Sequence, residues 1–217
     1  MEVSPKKNWK ERKKLWLNSL KEIAKEYDFK FKSNYIYKVI DDIVYDSTFN
    51  VSRIENAVSG VLSFKPIVLD DIFWDITDMP DNKRRRITFR LDAAFKVVSE
   101  KHYRYKIEIN DLANPTGNLE ELVKEVSREI ESNSIIDLES YISFHENNIP
   151  SFDHGSFDYS QVNFIGLICS YIKIGDISKA EVTTQYCIET EVKSLYNFGN
   201  GVDFFDLASI YLNKFQS

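Results

Sequence analysis

Apolar residues recur at two different spacings along this chain, and the change from one to the other organises it. Trp9, Lys13, Trp16, Leu17, Leu20, Ile23, Ala24 and Tyr27 follow three- and four-residue steps and make one mostly apolar stripe. Lys10, Arg12, Lys14, Lys21 and Lys25 fall on the opposite face, with Glu11, Glu22 and Glu26 among them. Such a stripe predicts an amphipathic helix with a solvated charged face. Alternation then takes over. The segments 35–40 and 43–52 flank Asp41-Asp42, a two-residue hairpin turn. A third strand puts Val58, Gly60, Leu62 and Phe64 on one side and ends near Pro66. A fourth is expected over 87–98, with Ile87, Phe89 and Leu91 opposite Thr88, Arg90 and Asp92. The fifth sets Tyr103, Tyr105, Ile107 and Ile109 against His102, Arg104, Lys106 and Glu108. Regular alternation implies an antiparallel sheet with one dry and one wet face, the first helix covering the dry one.

After Asn114-Pro115-Thr116-Gly117 the helical spacing returns for good. Leu119, Leu122, Val123, Val126 and Ile130 define one helix, and Ile135, Leu138, Tyr141, Ile142 and His145 a second. The segment 149–158 is rich in turn formers and reads as a loop. Two more helices, about 160–174 and 177–196, meet at Gly175-Asp176, a C-cap glycine followed by an N-cap aspartate. Gly199-Asn200-Gly201 breaks the chain before a last helix at about 203–214. Strands followed by helices predict an α+β fold: an N-terminal helix on an antiparallel sheet of about five strands, then a C-terminal group of about five helices. The expected division falls at 112/113, with residues 1–112 holding helix and sheet and 113–217 a helical region able to pack with them as one domain. Phe164, Leu167, Tyr171, Gly175, Ala180 and Cys187 are spaced as in one tetratricopeptide unit, but a single copy reads as an ordinary helical hairpin.

Composition supports a folded chain: 43% hydrophobic and 14% aromatic residues are more than disordered segments carry. The opening residues lack the apolar core of a secretory signal. The most apolar run, 162–174, contains Asn163, Ser170 and Lys173 and is too short to span a bilayer. A cytoplasmic location without membrane contact is therefore expected, and Cys169 and Cys187 read as free buried thiols. Charge is unevenly placed. Residues 108–217 carry 18 Asp/Glu against 6 Lys/Arg, whereas 1–32 carry ten cations against five anions and 83–106 nine against two. An anionic C-terminal half of this kind steers and holds a cationic partner.

Candidate chemistry is sparse. Seven scattered glycines form no phosphate-cradling loop, and no serine sits in a Gly-x-Ser-x-Gly turn. Asp153, His154 and Asp158, with His145 and Glu146 nearby, form the densest group of ligand types but lack a recognised metal-ligand spacing. Asp41-Asp42 and Asp70-Asp71 read as a turn and a helix start. No catalytic residue, metal or cofactor is assigned. Lys83-Arg84-Arg85-Arg86 is the strongest basic run, yet Tyr103 and Tyr105 alternate away from the neighbouring cations and supply no stacking platform, so nucleic acid is not the expected partner. The segment 70–78 sets Phe73 and Trp74 among Asp70, Asp71 and Asp75, a mixture found at interface anchors, although a short helix over a sheet edge is the competing reading. Phe152, Asp153, Phe157 and Asp158 repeat that mixture in the later loop.

With this layout, the chain resembles the DUF4304-like group of small bacterial α+β proteins, some encoded beside polymorphic toxins and presumed to be immunity proteins. The likeness rests on the opening helix running into Asp28-Phe-Lys-Phe-Lys-Ser-Asn-Tyr-Ile-Tyr37, on the meander with Phe89-Arg-Leu-Asp-Ala-Ala-Phe95, and on the helical tail; it covers about residues 8–145. It implies a non-catalytic immunity protein and no transferable chemistry. Together with the anionic excess, this gives the expectation of a protein that neutralises a basic partner, such as a toxin domain, by occluding it with an acidic surface. Asp70, Asp71, Phe73, Trp74, Asp75, Phe152, Asp153, Phe157 and Asp158 are the candidate contact residues. Two alternatives stand beside it: an enzyme using carboxylates with His154, and a nucleic-acid binder using residues 83–86.

Overall fold

The computed structural model describes residues 5–133, 135, 137–148, 163–194, 196, 198–199 and 201–215. The expected α+β order is present: an N-terminal helix, a five-stranded antiparallel sheet and then a series of helices. The chain forms two compact units, Met1–Phe64 with Ser99–Ser134 and Lys65–Val98 with Ile135–Ser217. The boundary expected at 112/113 falls inside the first of these units. Each unit is built from two stretches of sequence, because the chain leaves the sheet after its fourth strand and returns for the fifth.

In the first unit α1 (Pro5–Glu26) buries Trp16, Leu20, Ile23 and Ala24, the stripe that its spacing requires. The sheet runs β1 (Lys30–Lys32), β2 (Tyr35–Ile40), β3 (Ile43–Val51), β4 (Ala57–Pro66) and β5 (Glu100–Glu108), hydrogen-bonded in that same order. β2 and β3 pair Ile40 with Ile43, and Asp41 and Asp42 between them both adopt positive φ, 47° and 64°. That is the twist a two-residue hairpin needs, and aspartate tolerates it better than most residues. α4 (Thr116–Ser132) buries Leu119, Leu122, Val123, Val126 and Ile130. It packs against α1 and β5, and α1 reaches β1.

Gly60 on β4 stands opposite Tyr105 on β5. The Tyr105 hydroxyl lies 2.8 Å from that of Ser47 and donates to the Thr48 carbonyl at 2.7 Å. A Cβ on Gly60 would run into that carbonyl oxygen and the phenol ring. The carbonyl belongs to the neighbouring backbone and cannot swing aside. Gly60→Ala is therefore expected to cost about 1–3 kcal/mol, the usual range for overpacking, read as a lower urea midpoint with an unchanged slope. An unaltered midpoint would mean that the strands have slack there.

The second unit contains α2 (Val68–Ile76), α3 (Ile87–Asp92), α5 (Leu138–Asn148), α6 (Phe164–Ile174), α7 (Ile177–Glu189) and α8 (Phe204–Leu212). Every residue from Phe164 to Ile172 is buried, so α6 runs through the core, packed by α2, α5 and α7. Asn163 caps its start by accepting from the Gly166 amide at 2.9 Å. Gly175 ends it at φ 81°, with Asp176 N–H returning to the Tyr171 carbonyl at 2.9 Å. Asp176 then caps α7 by accepting from the Lys179 amide. The glycine-aspartate junction thus does what its residues predict. Phe73 of α2 stacks on Phe204 of α8 with centroids 5.2 Å apart, beside Tyr196 and Phe198.

Two expectations are corrected. Residues 87–98 are not a strand: 87–92 form the short helix α3, and 93–98 are irregular. The fifth strand is instead β1, three residues paired with β2.

Candidate partner-binding surface

α2 carries five of the expected contact residues, and three of them are fully buried. Leu69, Phe73 and Ile76 face the core at helical spacing, as do Asp70 and Trp74. Asp70, Phe73 and Trp74 are each 0% exposed, which removes them from any partner surface in the folded protein. Lys65, at the end of β4 and also 0% exposed, explains the buried carboxylate. Its ammonium lies 2.8 Å from each Asp70 oxygen and donates to the carbonyls of Arg90 and Val97 at 3.1 and 2.9 Å. The Val97 amide donates to Asp70 Oδ1 at 2.9 Å. Burial pushes the Asp70 carboxyl upward, against the pull of the Lys65 charge.

Asp71 and Asp75 are part-exposed but committed to neighbours within the unit. Arg90 donates to Asp71 at 2.7 Å and to the carbonyls of Ile67 and Lys83, while its guanidinium lies 4.9 Å from the Trp74 ring centroid. Lys83 pairs with Asp75 at 2.5 Å. The short helix of the competing reading is therefore present, as core rather than contact surface. Phe152, Asp153, His154, Phe157 and Asp158 lie outside the described residues.

Of the basic run, Arg84, Arg85 and Arg86 are exposed, and Arg85 sits 5.7 Å from the Phe89 ring centroid. Cys169 and Cys187 are buried free thiols; burial raises both, Cys187 to about 12, which keeps them protonated and unreactive at neutral pH. Among the described residues no group of three or more His, Cys, Asp or Glu is placed to hold a metal ion, and no helix is long and apolar enough to cross a membrane.

The carboxylates of the C-terminal half follow no single pattern. Asp176 and Asp203 cap α7 and α8, Asp206 completes the capping box of α8, and Asp137 accepts from the Ser140 amide before α5. Glu146 accepts from Lys179 and Tyr171, which hold its carboxyl low. These acids build local structure.

α4 is different. Its sequence holds Glu120, Glu121, Glu125, Glu129 and Glu131 against Lys124 and Arg128. Glu120 pairs with Lys124 at 2.8 Å. Glu121, Glu125 and Glu129 recur every four residues, so they share one face of the helix. With Arg128, Ser132 and Ile107 of β5 they line an open recess of about 560 Å³. Two of the three stand beside β5 side chains, and one of them is hydrogen-bonded. Tyr103 donates to Glu125 at 2.5 Å, and His102 Nε2 lies 3.7 Å from Glu129. A register shift at Leu62/Ser63 in the β4–β5 ladder lets these consecutive side chains both reach α4. The carboxylate of Glu125 in turn pushes the Tyr103 hydroxyl pKa upward. The row was readable as a run of glutamates at four-residue spacing; the hydrogen bond from Tyr103 and the approach of His102 depend on the bulge and were not.

No protein-family model matches the chain, and neither a curated protein nor a solved structure does.

Proposed function

We propose that the chain is a non-catalytic binding protein that takes a basic protein partner, and that the α4–β5 recess is where it does so. The observation that supports this reading is the row Glu121, Glu125 and Glu129 lining one recess, with Glu125 oriented by Tyr103 before any partner arrives. Carboxylates fixed in advance lose less side-chain freedom on pairing with cations, and an anionic face raises the encounter rate with a cationic one. The immunity role implied by the DUF4304-like resemblance is the specific form of this proposal: the partner is a basic toxin domain, and its active surface is covered.

The test is co-expression with the product of a neighbouring gene, followed by a binding titration of the purified pair. Glu121→Gln, Glu125→Gln and Glu129→Gln together remove three charges while keeping side-chain size, so the fold is expected to survive. The triple variant is expected to bind at least about tenfold more weakly, mainly through slower association. Unchanged affinity, or a partner whose contact surface is acidic, would overturn the proposal.

A further inference from the structure

The second unit has an interaction surface of its own, between α7 and α8. Val182 and Tyr186 form an apolar pair on α7, flanked by Glu181, Gln185 and Glu189 at four-residue steps. Ser209 and Leu212 of α8, with Asn213 just after it, supply the other wall, and the recess between them measures about 560 Å³. Val182 is 67% exposed, an unusual setting for a branched apolar side chain at the mouth of a recess. Thr184 also lines this recess, at 2% exposure. Its hydroxyl is buried without a hydrogen-bond partner among the described residues. A helical threonine usually satisfies its hydroxyl on the carbonyl one turn back, and an unsatisfied buried hydroxyl costs about 1–3 kcal/mol until something bonds it.

We infer that this recess receives an amphipathic helix of a partner protein, apolar side chains seated against Val182 and Tyr186 and cations directed at Glu181 and Glu189. Charge complementarity selects the occupant. The two glutamates bracket the apolar patch about 12 Å apart along α7, a separation matched by basic residues two turns apart on a helix lying along the groove. Gln185 donates to Glu189 at 2.8 Å and orients that carboxylate. An apolar floor with acidic borders suits a helix that is apolar on one side and basic at its margins. The inference does not rest on the α4–β5 recess, which belongs to the other unit and shares no residue with this one.

The experiment uses the full chain and a synthetic leucine–lysine peptide patterned as an amphipathic helix, with a same-composition peptide in scrambled order as its control. The patterned peptide is expected to bind at least about tenfold more tightly than the scrambled one. Val182→Asp, at an exposed position that leaves the core untouched, is expected to abolish that preference. Glu181→Gln with Glu189→Gln is expected to weaken binding and flatten its salt dependence, whereas the triple glutamine variant of α4 leaves it unchanged. Equal binding of the two peptides, or indifference to Val182→Asp, would overturn the inference. So would a self-association of the chain that Val182→Asp dissolves, since the occupant would then be a second copy.

Discussion

Asp70→Ala is expected to cost about 3–5 kcal/mol of folding stability, the range for removing one member of a buried ion pair. The size follows from what is left behind. Lys65 is 0% exposed, and without Asp70 its ammonium loses the carboxylate that faces it and keeps the carbonyls of Arg90 and Val97. Neither carries a compensating charge, and the Val97 amide loses its acceptor as well. Since domains of this size are stable by about 5–15 kcal/mol, much of that margin would disappear. The neutral double variant Lys65→Met with Asp70→Leu is expected to be more stable than either single change, because it removes both charges from the apolar interior together. Urea unfolding of the wild type, Lys65→Met, Asp70→Leu and their combination in a double-mutant cycle reads the coupling directly. Single variants each costing under about 1 kcal/mol would instead describe a solvated pair.

Acidification is expected to remove about 3 kcal/mol through His145 alone. This imidazole is 0% exposed on α5, between the rings of Tyr141 and Phe144 at 4.5 and 5.2 Å. Burial pushes its pKa from 6.5 down to about 4. The unfolded chain therefore takes up the proton first as pH falls. Stability from neutral His145 is fully present above about pH 6.5 and is lost progressively towards pH 4, at about 1.4 kcal/mol per pH unit. His145→Leu retains an apolar side chain without a titrating group. The stability difference between wild type and this variant is expected to shift against the wild type across that window and to be constant above it. A constant difference throughout would show that His145 titrates normally in the folded protein.

Where local spacing dictated structure, the sequence reading held. The α1 stripe, the Asp41-Asp42 turn and the Gly175-Asp176 junction are decided by residues within a few positions of one another. Where distant partners decide, it failed. Ile87, Phe89 and Leu91 alternate like a strand, but a short apolar run cannot separate strand from helix. Here Arg90 is drawn in by Asp71, the carbonyls of Ile67 and Lys83, and the Trp74 face. β1 is three residues long, two of them lysines, and its place is fixed by pairing with β2. The contact site expected on α2 erred for a related reason. Carboxylates beside aromatics read as a wet surface, whereas the Leu69, Phe73 and Ile76 spacing already marked a buried helix face. The cation that allows Asp70 to be buried comes from Lys65 on β4.

The same distinction sorts the acidic tail. Asp137, Asp176, Asp203 and Asp206 sit at helix starts, where unpaired backbone amides attract carboxylates, and they explain part of the charge excess without any partner. The α4 row caps no helix, although Glu125 also ties α4 to β5 through Tyr103. Its members stand in the middle of a helix, where charge at four-residue spacing marks a face rather than an end.

The salt dependence of partner binding tests this account most directly. Affinity for the basic partner would be followed from low to high ionic strength for the wild type and for the triple variant Glu121→Gln, Glu125→Gln, Glu129→Gln. The account predicts a steep fall for the wild type and a markedly shallower one for the variant, the two converging at high salt where the charges are screened. Superimposable curves would contradict it, because the α4 carboxylates would then take no part in binding.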